Sequence, residues 1–70
     1  MRVLIRRCHT GEYMAALDIW VLDPGDAHNF VRADEAILFA QGANLPDVEL
    51  VLRYERPPSE TVLSIPSKYS

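Results

Sequence analysis

The sequence predicts an α+β domain, an antiparallel sheet of about four strands in ββαββ order with one main helix packed on one face. Three observations lead there. Asp47 to Glu55 alternates, with Val48, Leu50, Leu52 and Tyr54 facing one way and Glu49, Val51, Arg53 and Glu55 the other. Ala33, Ala36, Ile37, Ala40 and Ala43 recur at helical spacing. Short turn signals separate the segments, and short connections suit antiparallel neighbours.

Taken in order, Arg2 to Cys8 is rich in apolar and β-branched residues and reads as a strand. Thr10-Gly11-Glu12 is a turn signal. Tyr13 to Val21 mixes helix formers, Met14 to Leu17, with strand formers, Ile19 to Val21. The short preceding turn favours a hairpin with the first strand and an irregularity near Asp18. Asp23 caps a single helical turn, Pro24 to Asn29, with Pro24 in its first position. The main helix runs from Ala33 to Gln41, opened by Asp34 and Glu35 and closed by Gly42. A half-buried strand follows at Asp47 to Glu55, then a loop at Arg56 to Glu60 and a short last strand at Thr61 to Ile65. Residues 1–66 form the domain and 67–70 a frayed tail. The expected core holds Val3 or Leu4, Ile5, Tyr13, Trp20, Phe30, Ala36, Ile37, Ala40, Leu50, Leu52 and Leu63.

Seventy residues allow one small core and no second domain. With 49% hydrophobic and 24% charged residues, the chain has enough apolar area to fold. Lys and Arg number 7 against 10 Asp and Glu, so the net charge is −3, which argues against a polyanion as the main partner. A single cysteine, Cys8, forms no internal disulfide, and that points to a reducing, cytoplasmic setting. The apolar run Val3-Leu4-Ile5 is too short for a signal peptide, and no segment reaches membrane-spanning length, so no membrane partner is expected.

No catalytic set is legible. Cys8 and His9 are neighbours and point to opposite faces of a strand, so a thiol–imidazole pair needs His28 from elsewhere. A small enzyme or ligand carrier using Cys8 and His28 is therefore one alternative function. His9, His28, Asp23 and Asp26 lack the paired spacing of a zinc site, and Asp23-Pro24-Gly25-Asp26 lacks the ligand pattern of a calcium loop. Isolated glycines at positions 11 and 42 form no phosphate cradle, and no cofactor is indicated. A second alternative gathers Arg2, Arg6 and Arg53 with Tyr13, Trp20 and Tyr54 on one sheet face to contact single-stranded nucleic acid. The leading expectation is a non-enzymatic interaction module. Leu38, Val51 and Val62, with Val3 as a fourth candidate, fall out of phase with the core and are expected on the surface, beside Arg53. The last strand offers a sheet edge without an inward charge, open to a second copy or another protein.

Overall fold

The computed structural model describes residues 1–65. The expected tail, 67–70, lies outside them. Among the described residues, five antiparallel strands form one sheet: β1 (Arg2–Arg7), β2 (Tyr13–Ala16), β3 (Ile19–Val21), β4 (Val48–Glu55) and β5 (Pro58–Ser64). Their spatial order is β3-β2-β1-β4-β5. The one α-helix among the described residues, α1 (Ala33–Gly42), packs over β1 and β4. The α+β class holds. The expected four strands in ββαββ order become five, three before the helix and two after it.

The extra strand arises because Leu17-Asp18 is a tight turn that folds the segment from Tyr13 to Val21 back on itself. Tyr13 pairs Val21, Met14 pairs Trp20, and the register slips before Ala16 meets Ile19. The irregularity expected near Asp18 is thus a hairpin turn with a bulge beside it.

The sheet has two buried faces. Under α1 lie Val3, Ile5, Met14, Val48 and Leu50, packed on Ala36 and Ala40. The alanine stripe lets the helix sit close to the strands. On the opposite face Leu4, Tyr13, Ala27 and Val51 form a second cluster. Both Val3 and Leu4 are therefore fully buried, one on each face. Leu63, expected in the core, is 45% exposed. Its face of β5 lies beyond the two strands that α1 covers. Trp20, Phe30, Ile37 and Leu52 are partly buried against the first cluster.

Residues between β3 and α1 link the two faces. Asp23 caps a 3₁₀ turn, Pro24–Asp26, by accepting from the Gly25 amide at 2.8 Å. This turn is shorter than the expected Pro24 to Asn29, because Ala27 already returns to extended backbone. Arg2 donates to the carbonyls of Pro24 and Ala27, at 2.7 and 2.9 Å, and holds this segment against the second face. β2 pairs with β1 only at Tyr13–Arg6, so a gap opens beyond that point. There the His28 amide bonds Met14 O, the Phe30 amide bonds Val3 O, and Asn29 Oδ1 accepts from the Val3 amide. Ala27 packs on one face and Phe30 on the other, so the chain crosses the sheet at this gap.

Helix α1 ends one residue later than expected. Its left-handed residue is Asn44, at φ 53°, and Gly42 stays helical. The Asn44 amide bonds Gln41 O and the Leu45 amide bonds Ala40 O, the paired bonds of a Schellman motif. The Arg56 to Glu60 loop is likewise shorter than expected. Glu55 pairs Pro58, so Arg56 and Pro57, joined by a cis peptide bond, form the tip of a hairpin and β5 begins at Pro58.

Candidate functional site

The two sheet edges differ. β3 is three residues long, and its partner strand is bulged. Short, irregular edges resist further pairing. β5 is seven residues long, pairs with β4 in unbroken register from Pro58 to Ser64, and is exposed throughout.

Backbone parity decides which β5 groups face outward. The Cys8 amide bonds Asp47 O at 2.8 Å, which makes Cys8–Asp47 a hydrogen-bonded pair. Hydrogen-bonded pairs alternate in an antiparallel ladder. Arg6–Glu49, Leu4–Val51 and Arg2–Arg53 are therefore hydrogen-bonded too. The odd residues of β1 turn the other way, as the bonds at Val3 O and the Arg7 amide show. In β4, then, Leu50, Leu52 and Tyr54 bond to β5, through Leu63, Thr61 and Ser59. Glu60, Val62 and Ser64 are left with amide and carbonyl directed away from the sheet. Pro58 shares their parity, so its missing N–H falls on the outer side, where proline is tolerated.

The side chains of Glu60, Val62 and Ser64 lie on the face opposite α1, in line with Arg53, Val51 and Glu49. Arg6 organises that face. Its Nε donates to Glu49 Oε1 at 2.7 Å, its Nη2 lies 2.6 Å from the same oxygen, and its Nη1 reaches Tyr13 Oη at 3.5 Å and Glu60 at 3.8 Å. Arg53 holds the other oxygen of Glu60 at 3.0 Å. Desolvation pulls the Arg6 pKa down, but the hydrogen bonds to Glu49 and Tyr13 and the charge of Glu49 outweigh it and raise the pKa above its ordinary value. These long side chains lie along Leu4 and Val51 and close the second core from above.

That lid corrects one expectation. Val51 is fully buried, and is not a surface residue. Alternation placed it correctly on the face away from α1, but that face is covered. Val62, its cross-strand neighbour, is 45% exposed. Leu38 is 67% exposed on the outer side of α1, so Leu38 and Val62 lie on opposite sides of the sheet and share no patch.

The arginine-aromatic set divides in the same way. Arg2, Arg6 and Arg53 do share a face, but each is engaged, on backbone carbonyls, Glu49 and Glu60 respectively. Tyr13 is buried beneath Arg6, while Trp20 and Tyr54 belong to the other face. Arg7 lies 4.0 Å over the Trp20 ring and also pairs with Glu12 at 3.3 Å. Near that stack a cavity of about 230 Å³ opens between Leu17, Trp20, Pro46 and Val48.

Cys8 and His28 sit in different segments. Cys8 follows the end of β1, whereas His28 lies between the 3₁₀ turn and α1, with its amide bonded to Met14 O. Desolvation, then Glu49 and Asp47, raises the Cys8 pKa, which favours the protonated thiol. His9 pairs with Asp47 at 3.4 Å, both exposed, and His28 packs edge-on against Phe30. Among the described residues no group of three or more His, Cys, Asp and Glu is placed to hold a metal ion. No described helix is long and apolar enough to cross a membrane.

Sequence reading identified the last strand as an open edge but missed which of its groups face outward, and it missed Glu60 as the residue joining the two arginines. Glu60 lies opposite Arg53 across a hairpin tip. A shorter loop assignment at Arg56-Pro57 was the signal that could have found it. No protein-family model matches the chain, nor does any curated protein or solved structure.

Proposed function

We propose that this protein is a non-enzymatic interaction module that docks a protein partner along the outer edge of β5. One observation carries the reading. β5 is a long, regular edge, exposed along its length, whose Glu60, Val62 and Ser64 amides and carbonyls point away from the sheet. An added strand would satisfy those groups, and the alternating side chains would set its specificity. The devices that usually blunt such an edge are weak here. The one charge on β5, Glu60, is drawn back onto Arg53 and Arg6, and Pro58 guards only the end near the hairpin tip. The arginine face contributes rigidity to that edge, because its guanidinium groups are tied to carboxylates and carbonyls.

The test is nuclear magnetic resonance of the isotope-labelled full chain in extract of its own cells. Amide signals of Glu60, Val62 and Ser64 should shift or broaden selectively, and Val62→Pro should abolish the effect. Changes confined to other surfaces, or unaffected by Val62→Pro, would overturn the reading.

A further inference from the structure

We infer that the partner strand at this edge is β5 of a second copy, antiparallel and centred on Val62, so that two sheets join into one of ten strands. The inference rests on the edge-docking reading and adds the occupant and its register.

The register follows from donors and charge. A twofold axis at Val62 sets Val62 against Val62 and Glu60 against Ser64, twice. All these residues have outward parity, so each of the three opposed pairs exchanges two N–H···O bonds. Moving the centre toward Pro58 by one residue pits Pro58 against Ser64, and Pro58 has no N–H to give. Moving it by two sets Glu60 against Glu60, and like charges directly opposed are unfavourable. The Val62 centre uses every outward amide of Glu60, Val62 and Ser64 and opposes no like charges.

Side chains agree with this register. The half-exposed Val62 meets its own copy on the face away from α1, a β-branched pair that packs across strands. The Ser64 hydroxyl faces the Glu60 carboxylate of the other copy and donates to it. That carboxylate already accepts from Arg53, which fixes its position before the copies meet. On the helix-side face Leu63, 45% exposed, falls opposite Thr61 of the other copy. Homotypic pairing also suits the size of the domain, since a chain of 70 residues gains stability by burying surface against itself.

The experiment uses the purified 70-residue chain. Sedimentation over a concentration series measures the dimer, with Val62→Pro as the edge variant. Residue 62 turns its N–H outward, so proline there removes no bond to β4. The dimer dissociation constant should rise at least about tenfold. Register is read by oxidative cross-linking in a Cys8→Ser background. Hydrogen-bonded antiparallel partners lie about 5.5 Å apart at Cα, within disulfide reach. Val62→Cys should cross-link between copies and Ser64→Cys should not, its Cα atoms being about 13 Å apart along the strands.

A dimer that resists Val62→Pro and does not cross-link at 62 associates through another surface, which overturns both the register and the edge reading. A dimer weakened by Val62→Pro but cross-linking through Ser64→Cys overturns the register. A protein that stays monomeric at millimolar concentration, yet shows the selective edge broadening in extract, overturns self-pairing and leaves the edge docking a different protein.

Discussion

Val51 and Val62 are cross-strand neighbours with the same side chain, on the same face of the sheet, and lysine in their places should have very different consequences. Val51 is fully buried between Leu4 and the arginine lid, whereas Val62 is 45% exposed at the edge. Val51→Lys forfeits the burial of a valine, about 1.5–3 kcal/mol. Fitting the longer chain beneath Arg6 and Glu60 adds about 1–3 kcal/mol of overpacking. The combined loss, roughly 2.5–6 kcal/mol, compares with a total stability of roughly 4–10 kcal/mol for a domain of this length. Val62→Lys should stay within about 0.5 kcal/mol of the parent, as surface changes do. Urea titrations followed by the fluorescence of Trp20, at one low protein concentration, separate the two. With m near about 1 kcal/mol/M, Val51→Lys should lower the midpoint by about 3 M or leave the protein unfolded in water. A Val51→Lys midpoint within about 0.5 M of the parent would refute the covered second face, and with it the account of Arg6, Glu49 and Glu60 as a lid.

Three further expectations follow from single backbone or side-chain features. Leu63→Pro should cost more stability than Val62→Pro, because residue 63 bonds β4 while residue 62 faces out; the extra loss is at least about 1 kcal/mol by denaturant titration, and equal losses contradict the parity. Val31 has φ 71° and sits between the Phe30 carbonyl and Arg32 amide of a 2.7 Å γ-turn, a conformation a β-branched residue adopts under strain. Val31→Gly should leave stability unchanged or raise it by up to about 1 kcal/mol, relief of strain being offset by the entropy of glycine, and a fall in melting temperature counts against the turn. The raised Cys8 pKa means that the folded thiol keeps its proton to higher pH than the unfolded one. That contribution to stability is present below the ordinary thiol pKa and is lost as pH rises through the folded value. Near pH 8 Cys8 should alkylate more slowly in the folded protein than in urea, and a faster folded rate would show the shift to be in the other direction.

Much of the fold was legible because local chemistry wrote it. The alternation of Val48 to Glu55, the alanine stripe of α1 and the Asp23-Pro24 cap each act within a few residues, and the structure carries all three. Misreadings arose where a choice depended on something distant. Gly42 is the conventional stop for a helix, but the chain continues to Asn44, where both terminal carbonyl bonds close on the turn into Leu45 and Pro46. Leu63 alternates like a core residue, but whether its face is covered depends on where a helix that ends 21 positions earlier comes to rest.

The candidate edge shows the same division. Sequence alone determined the α+β class, a bare last strand and charged residues on the outer phase of β4. Tertiary structure decided what those charges do and which groups of the edge are free. Arg6, Glu49, Arg53 and Glu60 come from three strands up to 54 positions apart, and only the β1-β4-β5 pairing sets them over Leu4 and Val51. The phase of hydrogen bonding, which turns Val62 outward and Leu63 inward, has no signature in residue type. It is set by the register of two ladders, and register is a property of how strands meet rather than of any one strand.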